Sequence, residues 1–132
     1  FETYVPIFPL DSVAEQLEIV AISILKIDVE GAEQMVLEGA VKTIKRTQPF
    51  ILMEVLPHHT KAEEVERQRE IWNQLQDLAY NVYRILNPET LQELGEAFDN
   101  AADYEKCEYV CFPAAARPEQ WGFEILPSSK LS

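Results

Sequence analysis

Three carboxylates stand within six residues, Asp28, Glu30 and Glu33, in the run Lys26-Ile27-Asp28-Val29-Glu30-Gly31-Ala32-Glu33. A carboxylate held beside a hydroxyl can orient it and take its proton while the oxygen attacks an electrophile. A fourth acid, Glu54, stands near the end of the apolar run from Phe50 to Leu56, and His58 and His59 follow in a loop, where an imidazole can act as general base or touch a substrate. Lys26 shares strand parity with Asp28, so its ammonium must snorkel to water or meet a carboxylate, and Glu54 is the natural partner.

Each of these residues also has a plainer reading. Asp28 can cap the turn that follows it, and Glu30 and Glu33 suit the positive end of a helix. Lys26 and Glu54 can be a structural ion pair, and loop histidines often face solvent. The histidines could join Asp28, Glu30 and Glu54 in a mixed metal site. Neighbours in extended chain point opposite ways, however, and the spacing calls for no metal.

The elements around these residues explain their placement. Residues 22–28 are short and β-branched and read as a buried strand, and residues 50–56 repeat that pattern. Between them, 32–46 has helical spacing, with Ala32, Met35, Val36, Gly39, Ala40, Thr43 and Ile44 on one face. The small Gly39 and Ala40 suit close packing on a sheet. The acids thus fall where strand passes into helix, the end at which open α/β sheets bind ligands.

Two prolines keep residues 4–10 extended. Asp11 or Ser12 then caps a helix over 12–19, with Glu15 completing a capping box. Thr60 and Glu63 form a second box ahead of a helix over 61–78 that turns Val65, Trp72, Leu75 and Leu78 inward. Residues 80–86 and 107–112 read as strands. A short helix is expected from Asn87-Pro88-Glu89, and an acidic loop from Gly95 to Lys106.

The 132 residues amount to one domain, carrying a net charge of -12 without any basic run. That balance disfavours nucleic acid and anionic membranes. No apolar run approaches the ~20 residues of a membrane span. Cys107 and Cys111, four residues apart on one strand, are ~13 Å apart, too far for a disulfide. Buried free thiols and the lack of a signal-peptide start point to a cytoplasmic protein.

The runs Val5-Pro6, Leu10-Asp11, Ile24 to Glu33, Val36-Leu37, Gly39-Ala40, Pro49, Glu54-Val55 and Leu78 to Tyr83 together resemble the FkbM-type S-adenosylmethionine-dependent methyltransferases. The likeness covers roughly residues 5–113, and the Lys-Ile-Asp-Val-Glu-Gly-Ala-Glu run is its most specific part. It implies an α/β, doubly wound, Rossmann-like class I methyltransferase sheet with 22–28 as its fourth strand. Strands one to three, with the glycine-rich cofactor loop, would precede Phe1. No G-x-G-x-x-G occurs here, and Gly31, Gly39, Gly95 and Gly122 are isolated.

On this resemblance residues 1–113 are the C-terminal part of a methyltransferase domain, and 114–132 a Pro-rich tail that packs Trp121 and Phe123 onto the body. The expected activity is methyl transfer from S-adenosylmethionine to a small-molecule or sugar hydroxyl. The expected catalytic groups are Asp28 and Glu54, which the resemblance places at two neighbouring strand ends, and His58, from its place in the loop after residues 50–56. Asp28 and Glu30 would face the cofactor, and Lys26, Glu33 and His59 the substrate. A rival reading is an inactive interaction module that forms a homodimer by pairing the 22–28 strand edge with a second copy.

Overall fold

Alternating burial sorts the side chains of each strand onto two unlike faces. On the segment Phe50–Glu54, Ile51 and Met53 are buried, whereas Phe50, Leu52 and Glu54 are only half-buried. A computed structural model describes residues 1–128. Its elements are α1 (Leu10–Gln16), β1 (Ile24–Ile27), α2 (Glu33–Glu38), α3 (Val41–Thr47), β2 (Phe50–Glu54), α4 (Ala62–Asp77), β3 (Tyr80–Asn87), β4 (Thr90–Leu94), β5 (Glu108–Pro113) and β6 (Glu124–Leu126).

The fold is mixed α/β. Its six strands form one sheet in the order β1-β2-β5-β3-β4-β6. β1 pairs parallel with β2, β5 runs antiparallel between β2 and β3, and β4 returns antiparallel to β3 with β6 parallel beside it. β1, β2 and β3 therefore share one direction and bring their carboxyl ends to the same side.

Ile27, Ile51, Met53, Val82 and Tyr109 point to the helix side and meet Leu37, Ile44, Ile71, Trp72 and Leu75 in the main core. Each such aliphatic side chain, fully buried, contributes about 1.5–3 kcal/mol. A smaller cluster on the opposite face joins Tyr83, Leu91, Val110 and Phe112 to Phe50, Leu52, Ile85 and Phe123.

The helix expected over 32–46 is two helices, broken at Gly39 and Ala40. A Cβ on Gly39 would lie 3.0 Å from the Pro9 Cβ, so the small side chain makes room for the incoming N-terminal segment. Asp11 seals the break. Its N–H donates to the Gly39 carbonyl at 2.8 Å, and its carboxylate accepts from the N–H groups of Lys42 and Thr43 at 3.1 and 2.7 Å. Asp11 thus caps α3, not its own helix, and α1 starts after Pro9 without a side-chain cap. Met35, expected inward, is exposed, and Leu37 takes the buried place.

Other expectations also give way. Thr60 makes no cap: α4 begins after Lys61, and Glu64 accepts the His59 N–H at 2.7 Å. Val65 is exposed, while Gln68 and Ile71 face inward. Asn87 starts a hairpin where a helix was expected, because its Oδ1 accepts the N–H groups of Glu89 and Thr90, both at 2.9 Å, a side-chain turn that competes with helix.

The segment expected as a tail supplies β6, and Trp121 stacks on Phe112 with ring centroids 6.0 Å apart. Residues 129–132 of that tail lie outside the described residues. The strand at 22–28, apolar enough to suit an interior position, forms the sheet edge as β1, and Ile24 is 58% exposed. Among the described residues no helix is long and apolar enough to cross a membrane.

Candidate active site

The face turned away from the helices changes character along its length. Phe50 and Phe112 meet at a tilt at one end, with centroids 4.7 Å apart, beside Trp121 and Phe123. Leu52 and Val110 pair in the middle, beside Lys26. At the carboxyl end of β1 and β2 stands a row of acids. Glu54 is the register partner of Glu108, and Asp28 follows Ile27, the partner of Met53.

These side chains line one cavity of about 170 Å³ with Lys26, Leu52, Ile85 and Tyr109. Two residues expected to be catalytic, Asp28 and Glu54, are thus brought together with Lys26. Lys26 is exposed, and among the described residues it makes no ion pair, so the expected Lys26–Glu54 bridge is absent.

Burial raises the Glu54 carboxyl above its ordinary value. The Asp28 carboxyl within hydrogen-bonding reach adds to this, followed by the charges of Asp28, Glu108 and Glu30. Four like charges on one small patch resist simultaneous ionisation, and Glu54 holds its proton more tightly.

The turn after β1 fixes the remaining acids. Glu30 has φ 51° and Gly31 φ 108°, the second a value natural only to glycine. Glu30 is exposed beside the cavity. Glu33, expected to touch substrate, is 1% exposed, and its Oε1 accepts the Gly31 N–H at 2.9 Å. Its structural place is to hold this turn.

Neither histidine lines the cavity. His59 Nδ1 lies 3.6 Å from Glu64 and its Nε2 3.5 Å from the Tyr104 hydroxyl, while His58 Nδ1 faces the Thr60 N–H at 3.4 Å. Among the described residues no three His, Cys, Asp or Glu gather as a metal site, so the mixed set of histidines and carboxylates does not assemble.

Glu108 is the site residue that sequence reasoning missed. An isolated acid opening the apolar strand Tyr109-Val110-Cys111-Phe112 was the available signal. Seeing its partner required the β2–β5 register, which pattern alone does not give.

A family model described as the methyltransferase FkbM domain matches residues 1–82. This chain belongs to the FkbM methyltransferase family. No curated protein and no solved structure matches the chain. The FkbM match includes Asp28, Glu30 and Glu54 and ends inside β3, so Glu108 lies beyond it.

A methyl donor of the sulfonium type carries a positive charge, which suits a patch of carboxylates. The cavity is smaller than the roughly 300 Å³ at which whole small-molecule sites begin. Nor does a glycine cradle adjoin it: a Cβ on Gly31, the nearest glycine in sequence, would meet only the Arg67 side chain, at 3.7 Å. The described residues therefore fit the reacting end of such a donor and not its nucleoside.

Proposed function

We propose that this FkbM-family chain carries the acceptor end of an S-adenosylmethionine-dependent O-methyltransferase site, centred on Asp28 and Glu54. The observation that carries this reading is the meeting of these two acids in one cavity, both inside the family match. The sheet is read as the β1-to-β3 side of a doubly wound, Rossmann-like arrangement, supported by three strands of common direction ending at the cavity. Two buried free thiols suit a reducing, cytoplasmic setting.

S-adenosylmethionine supplies an electrophilic methyl group when bound. Asp28 accepts the proton of the acceptor hydroxyl as its oxygen becomes nucleophilic, and Glu54 hydrogen-bonds the same oxygen and sets its direction. Glu30 adds negative charge toward the donor. Lys26, with its flexible stem, reaches acceptor oxygens at the rim. The fitting acceptor is a small molecule or sugar with a free hydroxyl.

The test is release of S-adenosylhomocysteine from S-adenosylmethionine with a panel of small polyols and sugars. Turnover with one of them, lost in Asp28→Asn, is expected; no turnover with any acceptor contradicts the reading.

A second reading, an inactive module that dimerises through β1, draws on the outer edge of that strand, unpaired among the described residues, and on the exposed Ile24. Sedimentation of wild type and Ile24→Lys tests it, a dimer lost in the variant being its expected result.

A further inference from the structure

Glu54 and Glu108 are partners in the β2–β5 ladder. One residue further along that ladder, the Val55 N–H donates to the Cys107 carbonyl at 2.9 Å. Hydrogen-bonded and non-hydrogen-bonded pairs alternate in antiparallel sheet, and the second kind brings side chains closer. Glu54 and Glu108 occupy such a close pair. Like charges placed directly opposite each other repel.

We infer that Glu108 is a positioning residue for the Asp28–Glu54 pair: its carboxylate, directly across the ladder from Glu54, makes Glu54 the harder acid to ionise. The functional meaning of this assignment rests on the methyltransferase reading; the proton placement does not. While Glu54 holds its proton it can donate a hydrogen bond to the acceptor oxygen, which leaves Asp28 to receive the proton of the hydroxyl. Two ionised carboxylates would offer no donor there.

The groups around Glu54 come from three strands. β1 and its turn contribute Lys26, Asp28 and Glu30. β5 contributes Glu108, with the Cys107 thiol just before it, and β3 contributes the apolar Ile85. Lys26 is the single cation among them and opposes the acids. Glu108 is exposed and makes no ion pair or side-chain hydrogen bond among the described residues, so its charge acts on Glu54 without a counter-ion.

The test is a carboxyl-carbon NMR titration of Glu54 in the full chain, without methyl donor or acceptor. In Glu108→Gln the Glu54 midpoint should fall by about half a pH unit or more, and in Glu108→Lys further still. Glu63→Gln, on the solvated face of α4, should leave it in place. An unmoved Glu54 midpoint in both Glu108 variants overturns the assignment, even if the protein methylates hydroxyls. A midpoint that falls as expected upholds the proton placement, even where methyl transfer is absent and the functional reading fails.

Discussion

The Asp28 and Glu54 carboxyls line one cavity, across the parallel junction of β1 and β2. Parallel pairing aligns the ends of the two strands, so acids that are 26 positions apart in the chain meet at one edge of the sheet. This contact gives the cavity its chemistry and also stores a stability cost.

The cost has a pH signature. Burial and neighbouring acids raise the Glu54 carboxyl, so the folded state binds this proton more tightly than the unfolded chain does. Stability then falls as pH climbs from the ordinary glutamate range through the folded value. Glu54→Gln should melt higher than wild type at about pH 7, and this gain should vanish below about pH 4. Thermal melts across that range check it; an equal difference at all pH values contradicts it.

Asp11 shows the opposite linkage. Burial raises its carboxyl, but the hydrogen bonds from Thr43 and the Lys42 N–H outweigh that and hold it low. Its stabilisation is present above the ordinary aspartate range and is lost as pH falls through the folded value. Asp11→Ala should cost about 1 kcal/mol in urea unfolding near neutral pH, as loss of a helix cap does, and less in acid. A loss that does not shrink in acid would count against the cap.

Asn100 is fully buried. Its Nδ2 donates to the Val55 carbonyl and its Oδ1 accepts from Gln68 Nε2, both at 2.8 Å, and Gln68 also donates to the Leu56 carbonyl. This network ties the acidic loop to the chain leaving β2. Asn100→Ala strands a buried carbonyl and an amide, and should cost about 1–3 kcal/mol. Chemical denaturation measures it; a change below about half a kcal/mol contradicts the role.

The buried thiols give a fourth expectation. Burial raises both cysteines, and Glu54 adds to the effect on Cys107. Neither should react with a disulfide reagent at neutral pH in the native protein, and both should react at once in denaturant. Fast modification of native Cys111 would contradict its place in the core.

Much of this was legible in the residues. Apolar runs located β1, β2 and β5, and alternation located β3, because apolar clusters lie on both faces of the sheet. The acids at the ends of β1 and β2 marked the site, each standing at or near the end of an apolar run. What stayed hidden depends on contacts between distant segments. Asp11 caps α3 only because Pro9 packs on Gly39, and Glu108 joins the site only through an antiparallel register. Asn87-Pro88-Glu89 suits a helix start in isolation, and the pairing of β3 with β4 makes it a turn instead.

The most direct test of the acidic site is an NMR titration of the full chain with S-adenosylmethionine and, separately, its neutral product S-adenosylhomocysteine. The carboxylate row predicts that the sulfonium form shifts the Asp28 and Glu54 carboxyl signals at lower concentration than the neutral form, and that Asp28→Asn removes this preference. Carboxyl signals that stay unmoved at millimolar ligand, or equal response to both ligands in wild type and variant, would contradict a methyl-donor site at Asp28 and Glu54.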